Sequence, residues 1–157
     1  MYIFRRLFRL YPAFIVTFEI SVLLTPMSME ALIALPGDSA RNLERIEIFQ
    51  GSLYYAELHI TAHLTMLHGI VPGHLLPFTD YAFLGQAWSI SMEWQFYLLA
   101  PIFFSLTRGS YLPLRIGAAL AVAAVLHKSR IWFGQGYIGG HVAWFALGMG
   151  SFEVWKR

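Results

Sequence analysis

The sequence reads as an all-α protein, a polytopic membrane bundle of about four to five transmembrane or re-entrant helices, forming one membrane domain over residues 1–157. Three observations point there. Hydrophobic residues make up 57% of the chain and charged residues 13%, where a soluble domain carries about 25% charged residues. The apolar residues gather in runs of about 16 to 24, the length that crosses roughly 30 Å of hydrocarbon as a helix. Lipid offers the backbone no water to bond, so helix is the form such runs take. The formal charge of +2 is too small and too scattered for a nucleic-acid footprint. With no Cys, disulfides, thiol nucleophiles and Cys zinc sites drop out.

Five apolar segments follow one another. Segment one runs from about Leu10 to Pro26, with Pro12 expected in its first turn, where a missing N–H costs little. Glu19 sits near its middle and is expected to face a neighbouring helix. Residues 27–51 read as a polar connection containing Pro36-Gly37-Asp38, a turn signal. Segment two, about 52–71, is the most polar, with Glu57, His59, His63 and His68. A Pro/Gly loop covers 72–82. Segments three, four and five are expected at about 83–106, 112–127 and 137–153. The N-terminus is basic, but Pro12 and Glu19 interrupt its apolar stretch and no small-residue cleavage site follows, unlike a secretory signal.

Cationic residues then orient the bundle. Arg5, Arg6 and Arg9 place the start of segment one in the cytoplasm. If all five segments span, Lys128 and Arg130 join them inside, and Arg41, Arg45, Arg108, Arg115, Lys156 and Arg157 lie outside. If segment two is re-entrant or buried in protein, Arg108, Arg115, Lys156 and Arg157 move inside. The second arrangement satisfies the positive-inside rule better.

The stretch Gln86 to Tyr97 is the most informative. On a helix at 100° per residue, Gln86, Ser89, Glu93, Tyr97 and Ala100 fall within about 80° of one another, a narrow polar stripe on an apolar helix. A carboxylate at membrane depth faces protein or a water-filled cavity. Glu93 therefore either handles protons or grips a hydroxyl group, or serves as a packing carboxylate bonded to a neighbouring helix. Arg6 and Arg9, three apart, share a helix face. They read either as a phosphate clamp or as a topology anchor. His59 and His63 have the i, i+4 spacing of a helical metal pair. On one continuous helix His68 would lie about 180° away from His59, so no metal site is assigned and polar packing is expected. His127, Lys128 and Arg130 read as an interfacial cluster, and Gly139, Gly140, Gly148 and Gly150 as places of close helix contact.

Two blocks carry a resemblance. Phe4-Arg-Arg-Leu-Phe-Arg9-Leu-Tyr-Pro12 resembles the F-x-R-R-x-x-R-(I/L)-x-P block of the acyltransferase-3 family of integral-membrane acyltransferases. Trp88-Ser89-Ile-Ser-Met-Glu93-Trp-Gln-Phe-Tyr97-Leu-Leu-Ala-Pro101 resembles that family's W-S-L-x-x-E-x-x-F-Y-x-x-x-P block. Phe145-x-x-Gly148 is similar to a later F-x-x-G element. The resemblance implies transfer of an acyl group, often acetyl, from acyl-coenzyme A to a hydroxyl of a carbohydrate or lipid-linked glycan. The donor is a co-substrate, and no bound cofactor is implied. Arg6 and Arg9 would bind the donor, Glu93 and Ser89 would form the catalytic site, and Trp88 and Tyr97 would contact substrate. The setting would be the cell membrane, with the lipid bilayer as partner. Members of that family have a larger bundle whose first helix carries the histidine taken as catalytic. This chain begins at the arginine block, so the resemblance implies a fragment of the larger bundle, and that histidine's role is transferred to none of the six His. The competing expectation is a non-enzymatic channel or transport subunit, with Glu93, Glu19 and the histidines of segment two as an ion path.

Overall fold

The computed structural model describes residues 1–37, 39–107 and 112–155. Regular structure among them is all helical: α1 (Tyr2–Ile33), α2 (Ala40–Tyr54), α3 (Ala56–Leu64), α4 (Ala87–Thr107), α5 (Leu112–Ser129) and α6 (Val142–Trp155). Short 3-10 turns lie at His68–Ile70, Arg130–Trp132 and Ile138–Gly140. The sequence expectations at Asp38, Arg108, Lys156 and Arg157 fall outside the described residues.

Helix α1 absorbs the basic block. Its start is Tyr2 rather than Leu10, because Arg and Leu are good helix formers and no breaker stands between Tyr2 and Leu10. Pro12 and Pro26 therefore both lie inside the helix, which corrects the placing of Pro12 in a first turn. At 32 residues the helix is about 48 Å long, and it is long and apolar enough to cross a membrane. Phe14, Phe18 and Thr25 bury one side of it. Phe8, Val16, Leu23 and Met27 leave the other side bare. Glu19 lies on that bare side, exposed, and not against a neighbouring helix as expected.

Residues 27–51 are not a polar loop. They hold the end of α1 and nearly all of α2. The mixed-charge run Arg41 to Gln50 is made largely of helix formers. Ser39 caps it, its Oγ accepting from the Asn42 N–H at 3.2 Å. The reversal uses Gly37 at φ 98°, a left-handed backbone that glycine adopts freely. Helix α2 then packs back along α1.

Segment two is not one helix. Tyr55, at φ −105° and ψ 32°, separates α2 from α3. Helix α3 ends after nine residues, a length of about 13 Å, far short of a bilayer. Met66, at φ 55°, reverses the chain into the turn His68–Ile70. A buried non-glycine residue in the left-handed region is held there by its surroundings. Met66 is part of the core, with Phe14, Phe18, Ala82, Phe83, Ala87 and Trp94. The rest packs through α4. Phe96 stacks on Phe145 of α6 at 4.4 Å. Ser129 and Tyr137 share a hydrogen bond of 2.7 Å. Gly139 lies against the Leu126 carbonyl, a close contact of the expected kind, whereas Gly140 and Gly148 face open space.

Candidate functional site

Helices α1 and α4 meet at Tyr2, Arg6 and Tyr97. The Tyr2 and Tyr97 rings stand edge to face at 6.5 Å. The Arg6 guanidinium lies 4.8 Å from the centre of the Tyr97 ring and 5.5 Å from that of Tyr2, within cation–π range of both. One turn back along α4, the Tyr97 hydroxyl donates to the Glu93 carboxylate. The i, i+4 spacing brings those two together. A chain of contacts thus runs from guanidinium to ring to hydroxyl to carboxylate. Arg6, Glu93 and Tyr97 are half-buried, and Arg9 is exposed. Beside them a shallow pocket of about 540 Å³ is lined by Met1, Tyr2, Arg5, Arg6 and Arg9. Its three guanidiniums have no carboxylate in ion-pair contact among the described residues.

Ser89 lies one turn before Glu93 on the same face. Its Oγ donates to the Gln86 carbonyl at 2.9 Å and makes no bond to Glu93. Trp88 points elsewhere, and its indole lies over His141, centroids 6.1 Å apart and 21° from parallel. The reason is helical: five residues put Trp88 about 140° around α4 from Glu93. The fold thus gathers Arg6, Tyr97 and Glu93, holds Ser89 a turn away, and sends Trp88 to another neighbourhood.

The opposite face of α4 carries residues that the sequence reading did not single out. Buried Gln95 donates from Nε2 to the Ser91 hydroxyl at 3.1 Å and to the Gly136 carbonyl at 2.6 Å. Its Oε1 accepts from the Ile138 N–H at 3.0 Å. Ser91 Oγ accepts from the Gly69 N–H at 3.0 Å. Asp80 completes this clip by accepting from the backbone of Gln135 at 2.7 Å and of Gly136 at 2.9 Å. Burial pushes its carboxyl above the ordinary range, and the two N–H donors pull it partly back. Ser91 and Gln95 have i, i+4 spacing, a signal that was present in the sequence. What they bind is backbone far along the chain, which no local pattern announces.

The three histidines do converge, contrary to the continuous-helix reading. Met66 turns the chain, and His68 stacks on His63 at 3.9 Å and 5°. Phe18 covers the other side of His63 at 5.0 Å. His59 stands 6.3 Å from His63. All three imidazoles are fully buried. His63 Nδ1 bonds to the His59 carbonyl at 2.8 Å. Among the described residues, both ring nitrogens of His59 and the Nε2 of His63 have no hydrogen-bond partner. Neither α3 nor the turn at His68 is long enough to span, and burial lowers their pKa values to about 4 for His59, 3 for His63 and 4 for His68. They are neutral imidazoles, packed as aromatic rings. Parallel planes do not let His63 and His68 point in-plane lone pairs at one ion.

No protein-family model matches the chain, and neither does any curated protein or solved structure.

Proposed function

We propose that the chain is a membrane O-acyltransferase. It moves an acyl group, acetyl by preference, from acyl-coenzyme A to a hydroxyl of a sugar or cell-surface glycan. It sits in the cell membrane as part of a multi-pass helical bundle. The carrying observation is the contact of Arg6, Tyr97 and Glu93, which joins a cationic pocket to a carboxylate on an apolar helix. The resemblance of the two sequence blocks supplies the reaction.

Membrane embedding is supported by α1. Only 11% of its apolar window is buried, and the bare side chains suit lipid contact. The pocket at Arg5, Arg6 and Arg9 suits the phosphates of coenzyme A, which guanidinium groups bind through paired N–H donors. The thioester then extends toward Glu93. The Tyr97 hydroxyl holds one carboxylate oxygen, leaving the other free to accept a hydrogen bond from the acceptor hydroxyl and aim its oxygen. Attack forms the ester C–O bond and breaks the C–S bond. The hydroxyl proton passes to a base, and coenzyme A departs as the thiol after protonation. Glu93 orients the nucleophile, and Arg6 and Arg9 hold the donor.

Equilibrium binding of acetyl-coenzyme A to the purified full chain tests the donor side without requiring turnover. Arg6→Ala and Arg9→Ala are each expected to weaken binding about tenfold or more, the worth of a charge-assisted hydrogen bond. Glu93→Gln is expected to leave donor affinity unchanged and, when the chain is co-expressed with the histidine-bearing helix that the resemblance implies, to lower acyl transfer to a glycan acceptor. Donor affinity untouched by both arginine variants ends the assignment.

A further inference from the structure

Two pairs of side chains, one from each helix, meet where α1 touches α4. Tyr2 and Arg6 stand four residues apart on α1, and Glu93 and Tyr97 four apart on α4. That spacing puts each pair on one helix face. The Arg6 guanidinium lies over both rings, 4.8 Å from the centre of Tyr97 and 5.5 Å from that of Tyr2. The rings are 88° from parallel, with centres 6.5 Å apart. Arg6 therefore sits in an aromatic corner that its neighbours lack. Among the described residues neither Arg5 nor Arg9 lies over a ring, and both are exposed.

The chemistry of that corner differs from an ion pair. A carboxylate would hold Arg6 by cancelling its charge and taking its N–H donors. An aromatic face attracts the cation through the ring quadrupole and leaves those donors unspent. Arg6 makes no hydrogen bond or ion pair among the described residues, and it lines the pocket with Tyr2, Arg5 and Arg9. A long side chain gives up rotamer freedom when it binds an anion. One already held by rings gives up less and keeps its full charge for the ligand. Tyr97 has a second neighbour besides. Its ring meets Arg6, and its hydroxyl donates to Glu93. Face and hydroxyl are separate handles. A leucine there would keep apolar bulk against the core but offer neither. Tyr2 has the ring handle alone, since its hydroxyl makes no bond among the described residues.

We propose that Tyr2 and Tyr97 are positioning residues. Their rings clamp the Arg6 guanidinium at the pocket that receives the donor phosphate, and the Tyr97 hydroxyl separately sets the Glu93 carboxylate for the acceptor. The naming of donor and acceptor rests on the acyltransferase reading; the clamp on an anion-binding arginine does not. Tyr2 lies outside both resembling blocks. Tyr97 acts through Arg6 and Glu93, in place of the substrate contact that the resemblance implies for it.

The test uses the full chain in detergent micelles, with acetyl-coenzyme A and inorganic pyrophosphate as separate probes in titration calorimetry. Tyr2→Phe and Tyr97→Phe keep the ring and are expected to hold donor affinity within about twofold. Tyr2→Leu is expected to weaken it about threefold and Tyr97→Leu about tenfold, the worth of an exposed and a half-buried cation–π contact. In the Arg6→Ala background neither leucine change should cost anything more, because the rings then have no cation to hold. That cycle also separates the clamp from a folding defect, which would persist without Arg6. Steady-state transfer, with the histidine-bearing helix co-expressed, gives a second signature. Tyr97→Phe should lower kcat at unchanged donor KM, and Tyr2→Leu should raise donor KM at unchanged kcat. Donor affinity unchanged in either leucine variant overturns the proposal. So does a phenylalanine loss as large as the leucine loss, or a leucine loss undiminished in Arg6→Ala. Any of these, with donor binding still dependent on Arg6 and Arg9, leaves the acyltransferase reading in place. Donor binding indifferent to both arginines ends that reading. Pyrophosphate binding that still follows Arg6 and both rings then keeps the clamp, and pyrophosphate binding that ignores Arg6 ends it too.

Discussion

Gln95 shows how much one buried amide can hold. It joins α4 to the turn at Ile138–Gly140 through the Gly136 carbonyl and the Ile138 N–H, and reaches Ser91 on its own helix. Gln95→Leu keeps the bulk of the side chain but strands both backbone groups away from water. Each stranded group costs about 1–3 kcal/mol, so the melting temperature in detergent is expected to fall clearly. Ser89→Ala offers the contrast. Its hydroxyl bonds, among the described residues, to the Gln86 carbonyl just ahead of α4, and the melting temperature is expected to change little. Equal shifts in the two variants would show that the two faces of α4 do not divide the labour as their bonds indicate. Glu93 was legible at this scale, because a carboxylate in an apolar run stands out in any sequence. Gln95 was harder to read, since an amide in such a run declares its importance only through its partners.

Between elements, the closest approach is backbone against backbone. Gly69, in the turn after α3, lies against Gly136, and a Cβ there would run into the Gly136 carbonyl. Its N–H also bonds to Ser91. Gly69→Ala must push the two strands of chain apart, an overpacking that costs about 1–3 kcal/mol. Gly73→Ala, where a Cβ meets nothing within 4 Å, is expected to be silent. Thermal unfolding of the two variants side by side checks this, and a silent Gly69→Ala removes the contact from the account. The same scale explains the misreading of segment two. Hydropathy sees one apolar run from Ser52 to Val71, but Tyr55 and Met66 break it. A left-handed methionine carries no sequence signature, because it is imposed by the packing of Phe18, Phe83 and Trp94 around it.

For the whole molecule, the buried histidines set an acid limit. In the unfolded chain each titrates near its ordinary 6.5, whereas in the fold His59, His63 and His68 stay neutral down to about 4, 3 and 4. Below 6.5 the unfolded chain takes up protons that the folded chain refuses, so stability is full above that pH and falls progressively toward about 4. Asp80 acts with the opposite sign, since a carboxyl raised by burial takes up its proton more readily in the fold, so the decline toward acid belongs to the histidines. Melting temperatures across pH 5 to 8, roughly the span over which histidine responds, should decline on the acid side. His63→Phe, which keeps the ring stack, should flatten the decline. A flat profile in the parent chain would mean that the stack is open to water.

The sequence by itself determined the helical class, the length of the apolar runs and the polar face of α4, because composition and a 3.6-residue period are local properties that each segment carries alone. It also marked Arg6, Glu93 and Tyr97 individually. Tertiary structure decided that Arg6 lies over Tyr97, that His68 folds back on His63, and that Gln95 and Asp80 clip distant backbone. Each of these joins residues through a chain reversal or a helix crossing. Such geometry depends on how whole elements pack, and no pattern within a single segment encodes it.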